Sequence, residues 1–277
     1  MSAPAAPFAL TPQQIDAAAA QLDAAERTRV PCRQLSAQYP AMGIDDAYAV
    51  QAAWMQLKRG QGRRVLGHKI GLTSKAMQRA VRIAEPDFGT LLDDMFHRDG
   101  AVIPTDRFLQ LRIEAELAFV LGKPLSGPDC TLFQVLDATA YITPALEILD
   151  ARIQRVDPDT GATRTVVDTI SDNAANAALV LGGRPFKPDL LDVDLRRIGA
   201  IVSKNGEVEE TGLAAGVLNH PAYGVAWLAN RLHRQGVALQ AGEVVLAGSF
   251  IRPIEVARGD TVVADYGEFG TVSCHFG

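Results

Sequence analysis

Apolar residues recur at the spacing of one helix face within the first 60 residues. The segment Thr11-Pro12-Gln13-Gln14 has the composition of a helix start, and a second helical pattern begins near Asp45 and stops at Gly60. The apolar positions of the two patterns are Ile15, Ala18, Ala19 and Leu22, then Val50, Ala53, Trp54 and Leu57. These spacings predict a helical N-terminal part, which we assign to residues 1–64.

From Val65 onward the pattern changes to short apolar or alternating segments, many of which end at glycine. Such segments are typical of β-strands, and Asn205-Gly206 predicts a hairpin turn between two of them. One further helix is predicted from about Pro221 to just before Gly236. The segments are VLGHKIGL, RIEAELAFVLG, ALEILDAR, AALVLGG, IGAIVSKNGEV, EVVLAGS, DTVVADYG and GTVSCHF. The sequence therefore predicts an α+β protein with a β-rich body at residues 65–277 that forms one compact unit.

Charge and cysteine content restrict the partners and the compartment. The chain has 27 Lys and Arg against 32 Asp and Glu, a net charge of −5, and it has no basic block. Nucleic acids and anionic membranes are therefore not expected partners. No apolar run approaches the roughly 18 residues of a membrane span, and the N-terminus has no basic signal-peptide region. Three widely spaced cysteines indicate neither a disulfide framework nor a zinc site. We expect a cytoplasmic protein.

Three carboxylates in apolar strands are the sharpest chemical feature. Glu114 and Glu116 are two residues apart, so in a strand they project from the same face, and the apolar run LAFVLG follows at once. Glu147 lies in the second apolar run PALEILD. Buried carboxylates repel and lose hydration unless a cation compensates. This oxygen set favours Mg²⁺ or Mn²⁺ over Zn²⁺. A solvated strand face is the alternative for the Glu114–Glu116 pair.

Two further segments carry polar groups between apolar residues. Lys69, within VLGHKIGL, either contacts an anionic substrate or extends its ammonium from an edge strand to water. Residues 168–173, DTISDN, contain five hydrogen-bonding side chains, for which turn and cap chemistry is the alternative to a binding role. The phosphate-binding, nucleophilic-serine, zinc-protease and dinucleotide-binding motifs are missing from the sequence.

A series of long segments resembles the hydratase/decarboxylase branch of the fumarylacetoacetate hydrolase superfamily. The segments are GHKIGLTSKAMQ, EPDFGTLLDDMF, RIEAELAFVLGKPLSGP, ALEILDAR, DTISDNAANA, EETGLAAGVLNHPAYGVAWLANRL and LAGSFIRP. The resemblance extends from about Asp45 to the C-terminus. It implies a mixed β-sheet roll that is built around a metal and preceded by helices, with subunits assembled as homo-oligomers from dimers.

The resemblance also implies site residues. It places one Mg²⁺, with Mn²⁺ as the alternative, on Glu114, Glu116 and Glu147, and it makes Lys69 and Asp87 candidate catalytic residues. Ser171 of the SDN motif, with its neighbour Thr169, is a candidate substrate-binding residue. Arg164 lies in the segment between ALEILDAR and DTISDN, and we expect it to bind the remote carboxylate of a dicarboxylic substrate. A solvated loop is the alternative for Arg164.

The implied activity is a metal-dependent hydratase of aromatic-compound degradation that acts on a small-molecule 2-oxo dicarboxylate. The expected substrate is 2-oxo-hept-4-ene-1,7-dioate of homoprotocatechuate degradation, and the expected product is 4-hydroxy-2-oxoheptane-1,7-dioate. The alternatives on the same scaffold are a 2-oxo-3-enedioate decarboxylase of the 4-oxalocrotonate type and a 2-hydroxypentadienoate hydratase. A non-catalytic partner subunit is a remote alternative, since such a subunit would not need all three acids together with Lys69.

Overall fold

The structure is a computed structural model that describes residues 8–81, 83–188 and 193–277. Its helices are α1 (Pro12–Thr28), α2 (Leu35–Gln38), α3 (Ile44–Gly60), α4 (Lys75–Val81), α5 (Leu132–Ala138), α6 (Val166–Ser171) and α7 (Pro221–His233). The helices predicted near residues 11, 45 and 221 correspond to α1, α3 and α7. Within the described residues, no helix combines the length and the apolar character that are needed to cross a membrane.

The strands form two sheets. They are β1 (Val65–Gly71), β2 (Asp87–Leu92), β3 (Phe96–Arg98), β4 (Ala101–Ile103), β5 (Arg112–Leu121), β6 (Thr139–Leu149), β7 (Asn176–Leu181), β8 (Gly199–Lys204), β9 (Glu207–Leu213), β10 (Val244–Leu246), β11 (Ile254–Glu255), β12 (Thr261–Asp265) and β13 (Thr271–Phe276). The larger sheet has the order β2-β1-β10-β5-β6-β7-β3, and β11 also pairs with β5. The smaller sheet has the order β4-β13-β12-β8-β9. Helices followed by mixed sheets confirm the predicted α+β class.

The chain divides into two compact units. The first consists of the described residues of Met1–Arg63 together with Arg107–Leu109 and Ala151–Ala175. The second consists of the described residues of Arg64–Asp106, Gln110–Asp150 and Asn176–Gly277. Residues 151–175, which the sequence analysis assigned to the β-rich body, therefore cluster with the helical residues.

Local sequence explains the first unit. In α1, Thr11 Oγ1 accepts a hydrogen bond from the Gln14 backbone N–H at 3.3 Å, and Gln14 Oε1 accepts one from the Thr11 N–H at 2.8 Å. This reciprocal pair is the capping arrangement that the sequence predicts. The helix buries Leu22 and packs against α3, in which Trp54 is buried. The apolar faces of the two predicted helices are thus the faces that pack together.

Two elements differ from the sequence pattern. All six residues of β2 are buried, so the strand has no polar–apolar alternation by which it could be recognised. Helix α6 covers most of the DTISDN segment although it is rich in β-branched residues, which are poor helix formers. Asp168 stabilises its first turn, because its carboxylate accepts hydrogen bonds from the backbone N–H of Thr165 at 2.8 Å and from the Ser36 hydroxyl at 2.6 Å. Cap chemistry therefore accounts for one member of this polar cluster.

Candidate active site

The three acids of the predicted metal site lie on the central strands of the larger sheet. Glu114 and Glu116 project from the same face of β5, and Glu114 pairs directly with Glu147 on the antiparallel strand β6. Residues opposite each other on paired strands share a face of the sheet. One ligand oxygen from each of the three carboxylates lies within 4.8 Å of the others. The register of β5 and β6 therefore produces the cluster.

Strand β10 connects Lys69 to this face. Lys69 on β1 pairs with Leu246 on β10, and Leu246 pairs with Ala118 on β5. Ala118 lies on the same face of β5 as Glu116 and Glu114, because side chains alternate along a strand. Lys69 thus belongs to the face that bears the acids. Its side chain is buried, with 3% of its surface exposed.

Asp87 reaches the same face from β2, where it pairs with Gly71 of β1. A Cβ atom at position 71 would overlap Asp87 Oδ1 and would lie 3.2 Å from Lys69 Nζ. The structure therefore requires glycine at position 71, since any side chain would displace the Asp87 carboxylate.

Each of the two fully buried acids has one oxygen held by donors of the protein. Glu147 Oε1 accepts from Lys69 Nζ at 3.2 Å and from Asn176 Nδ2 at 3.0 Å. Glu116 Oε2 accepts from the Gly248 backbone N–H at 2.8 Å. Among the described residues, the second oxygens, Glu147 Oε2 and Glu116 Oε1, are buried and have no hydrogen-bond partner.

The ionisation of these groups reflects their crowding. Burial and the neighbouring Glu147 raise the pKa of Glu114 to about 8, and the same causes raise the pKa of Glu116 well above its ordinary value. Burial also raises the pKa of Asp87. Burial alone would lower the pKa of Lys69, but the surrounding carboxylates, Glu147 first among them, raise it. The raised pKa therefore favours the charged ammonium form of Lys69 among these acids.

This donor set fits a divalent cation. Carboxylates that are buried together are unfavourable because each loses hydration and repels the others, and a cation offsets both terms. The two buried oxygens that accept no hydrogen bond within the described part of the chain would gain a partner. An all-oxygen set without cysteine or histidine suits Mg²⁺ or Mn²⁺. Glu114, Glu116 and Glu147 are therefore the residues that could hold such an ion.

Arg164 lies in the first unit, where its guanidinium group faces a carboxylate. Its Nη1 atom is 3.8 Å from Asp172 Oδ2, and its side chain is 16% exposed. Asp172 is also paired with the buried Arg152, whose Nε donates to Asp172 Oδ1 at 2.6 Å and whose guanidinium stacks 5.1 Å from the centre of the Trp54 ring. The role of Arg164 in binding a remote carboxylate stays a prediction.

Ser171 and Thr169 also lie in the first unit, on α6. The Ser171 hydroxyl is buried and donates to the Val167 carbonyl at 2.8 Å, so it satisfies a backbone group of its own helix. The Thr169 hydroxyl is partly exposed and lies 3.4 Å from the Thr165 carbonyl. Substrate binding by these two hydroxyls likewise stays a prediction.

Known proteins share both the sequence and the fold. Residues 67–276 match the family described as "Fumarylacetoacetate (FAA) hydrolase C-terminal". The chain belongs to the fumarylacetoacetate hydrolase family. It is 59% identical over 258 residues to a 2-oxo-hept-4-ene-1,7-dioate hydratase from Escherichia coli, a match that covers 93% of this chain and 96% of that protein.

Two other similar proteins are named for different activities. A 2-keto-4-pentenoate hydratase from Paraburkholderia xenovorans (strain LB400) is 39% identical over 267 residues, covering 96% of each chain. The solved structure of 4-oxalocrotonate decarboxylase from Pseudomonas putida G7, complexed with magnesium and adipate, is 34% identical and has a TM-score of 0.91. That match covers 96% of this chain and 98% of the decarboxylase. The resemblance inferred from the sequence motifs is confirmed.

Two polar groups that contact the acids were not predicted from the sequence. Asn176 begins β7, next to the apolar run that the sequence did identify, and it donates to Glu147. A polar residue at the start of a buried strand was the available signal. Gly248 follows β10 and donates its backbone N–H to Glu116, a contact over 132 residues that no local pattern indicates.

Proposed function

We propose that this protein is a divalent-metal-dependent hydratase that converts 2-oxo-hept-4-ene-1,7-dioate to 4-hydroxy-2-oxoheptane-1,7-dioate. The observation that carries the proposal is the 59% identity, over nearly the whole chain, to the Escherichia coli hydratase named for this substrate. The buried face that bears Glu114, Glu116, Glu147, Lys69 and Asp87 supports it, since these groups supply the charges that the reaction needs.

The proposed metal ligands are Glu114, Glu116 and Glu147, and Mg²⁺ is the proposed cation. When bound, such an ion acts as a Lewis acid toward the 2-oxo group of a substrate. The protein's part is to hold the three carboxylates in place before binding. Asn176 and Lys69 fix one oxygen of Glu147, and Gly248 fixes one oxygen of Glu116, so the other oxygen of each is directed to the shared site.

The proposed reaction requires proton transfers at carbon. A proton leaves C3 and one is delivered to C5, which moves the C=C bond into conjugation with the C2 ketone. Water then adds its oxygen to C4, and a proton returns to C3. In this scheme the Lys69 ammonium, which its raised pKa keeps charged, stabilises the negative charge that develops on the substrate. Asp87, whose pKa is raised by burial so that its carboxylate is a stronger base than usual, is the proposed group that accepts the proton from C3 and delivers it to C5.

The proposal extends to specificity and cellular setting. Arg164 is the proposed ligand for the remote carboxylate, with Ser171 and Thr169 as further substrate-binding groups. A role in the degradation of homoprotocatechuate, in the cytoplasm, belongs to the proposal. Assembly as a homo-oligomer built from dimers is part of the same proposal.

The test is to follow 2-oxo-hept-4-ene-1,7-dioate by NMR in the presence of purified protein and Mg²⁺. The expected result is a new CH–OH resonance at C4 that appears with the protein and is lost after treatment with EDTA. The matched control is Glu116→Gln, which keeps the side-chain shape but removes one ligand charge.

Other outcomes would contradict the proposal. Loss of CO₂ without hydration would indicate a decarboxylase, the activity named for the structural relative from Pseudomonas putida. Turnover of 2-hydroxypentadienoate but not of the seven-carbon diacid would correct the substrate. No reaction with either substrate would favour a non-catalytic role.

A further inference from the structure

The phenol of Tyr266 reaches from the smaller sheet to the strands that carry the acids. Tyr266 follows β12, at the start of the turn that leads to β13, and only 3% of its surface is exposed. Its hydroxyl accepts a hydrogen bond from the Glu116 backbone N–H at 3.1 Å. The same oxygen is 2.7 Å from the Ala145 carbonyl and 3.0 Å from the Glu116 carbonyl, either of which it can donate to.

These contacts lie at one pair of opposite residues on β5 and β6. Glu116 and Ala145 are register partners, and the adjacent pair on the same face is Glu114 and Glu147. The hydroxyl therefore bonds to the main chain of both strands within two residues of every proposed metal ligand. A shift of this hydroxyl would change the separation of β5 and β6 where the three carboxylates converge.

The tyrosine ring is itself held in place. The Tyr266 backbone N–H donates to the Gly270 carbonyl at 2.9 Å, which closes the turn, and Gly270 has a φ of +80° that favours glycine. The ring of Phe250 packs edge-on against the phenol, with ring centres 6.1 Å apart. The backbone and the ring are thus both fixed, so the hydroxyl has a defined position relative to Glu116.

We propose that Tyr266 is a positioning residue for the divalent cation. It acts through the main chain of Glu116 and Ala145, by fixing the spacing of the strands that present the carboxylates. This inference rests on the proposed metal role of Glu114, Glu116 and Glu147. The tyrosine hydroxyl does not contact a carboxylate oxygen in any hydrogen bond found among the described residues.

Removal of the hydroxyl has a specific expected consequence. Tyr266→Phe keeps the ring and its contact with Phe250 but leaves the Glu116 N–H without this acceptor. Metal–ligand distances are defined to about 0.2 Å, so a small relaxation of the two strands changes the fit. Loss of an interaction that orients a ligand typically weakens metal binding by about 10- to 100-fold. We expect the Kd for Mg²⁺ to rise by about tenfold in Tyr266→Phe.

The control removes a comparable hydroxyl elsewhere on the same strand. Thr139, at the far end of β6, is buried and donates its hydroxyl to the Val135 carbonyl at 2.7 Å. Thr139→Val therefore loses a buried hydrogen bond without touching the acids. We expect it to lower the melting temperature of the metal-free protein but to leave the Kd for Mg²⁺ unchanged.

The experiment measures metal binding directly, on metal-free full-length protein without substrate. Calorimetric titration with Mg²⁺ gives the Kd of wild type, Tyr266→Phe and Thr139→Val, and the Mn²⁺ EPR spectrum reports the symmetry of the bound ion. The inference predicts a weaker Kd and an altered Mn²⁺ spectrum in Tyr266→Phe only. Thermal unfolding of the same samples measures the purely structural effect.

Three results would overturn the inference. Equal Kd values and spectra for wild type and Tyr266→Phe would make the hydroxyl a structural group alone, while leaving the proposed metal site intact. The same conclusion would follow if Tyr266→Phe lacked a cooperative unfolding transition. If the wild-type protein itself bound neither Mg²⁺ nor Mn²⁺, the proposed metal role would fail, and the positioning role would fail with it.

Discussion

Without the divalent cation, the protein should lose stability as the pH rises. Glu114 has a pKa of about 8 in the folded protein against an ordinary value of 4.5, because partial loss of hydration and the neighbouring Glu147 disfavour its charged form. The unfolded chain therefore releases this proton at a lower pH than the folded chain does. Glu114 makes its full contribution to the free energy of unfolding below pH 4.5, and this contribution is lost as the pH rises through about 8.

The size of the effect follows from this difference. Between the two pKa values, one proton changes the free energy of unfolding by about 1.4 kcal/mol per pH unit. Raising the pH from about 6.5 to about 8.5 should therefore lower the free energy of unfolding by about 2 kcal/mol through Glu114. Its side chain is partly exposed, which reduces this figure by solvent screening. Glu116 is fully buried and its pKa is also raised, so it adds a further loss of stability as the pH rises.

The pH window avoids a competing titration. Burial lowers the pKa of His68, which lies on the opposite face of β1 from Lys69, to about 4 from 6.5. Its contribution is present above pH 6.5 and is lost as the pH falls through 4, so its slope is opposite in sign and confined to lower pH. Between about pH 6.5 and 8.5 the carboxylates dominate.

The assay is urea denaturation at several pH values, with EDTA or with saturating Mg²⁺. Metal-free wild type should lose stability across the window, and the Mg²⁺-saturated protein should not, because the cation stabilises the ionised carboxylates. Glu116→Gln should reduce the slope of the metal-free protein, since glutamine keeps an acceptor for the Gly248 N–H but has no charge. The reasoning would be refuted if the metal-free protein were equally stable at both ends of the window. It would also be refuted if the free energy of unfolding changed with pH to the same extent with and without Mg²⁺.

Three substitutions test individual roles. Lys69→Ala should lower kcat by about a hundredfold or more, far more than it weakens Mg²⁺ binding, because the lost charge acts mainly on the transition state; near-native turnover would make Lys69 structural. Asn176→Ala should weaken Mg²⁺ binding about tenfold in calorimetry by releasing Glu147 Oε1, and an unchanged Kd would contradict this. Arg164→Ala should raise the KM for the seven-carbon diacid but hardly that for a five-carbon monoacid. Equal effects on both substrates, or none, would place diacid recognition elsewhere.

The sequence predicted the parts of the site that depend on strand periodicity. Glu114 and Glu116 share a face because they are two residues apart, and their apolar surroundings indicated burial. The register that places Glu147 opposite Glu114 is a long-range property, and periodicity alone could not supply it. The resemblance to a known family supplied that association before the structure did.

Other contacts were beyond a reading of local pattern. Tyr266 lies 150 residues from Glu116, and its hydroxyl contacts main-chain atoms, which no side-chain spacing encodes. Strand β2 was missed because burial on both faces removes the alternation that identifies a strand. Helix α6 was missed because its stability depends on the cap by Asp168 and on contacts to residues distant in sequence, which override weak helix propensity.

The position of β10 in the larger sheet has a consequence for biosynthesis. This three-residue strand lies between β1, which carries Lys69, and β5, which carries Glu114 and Glu116. During translation, the β5–β6 hairpin and its acids leave the ribosome well before Val244–Leu246 do. Strand β1 and its Lys69 cannot be connected to β5 in the sheet until β10 is inserted. Because these strands are far apart in sequence, their pairing is a late folding event. A chain truncated before β10 would keep all three carboxylates but would lack the strand that connects Lys69 to them.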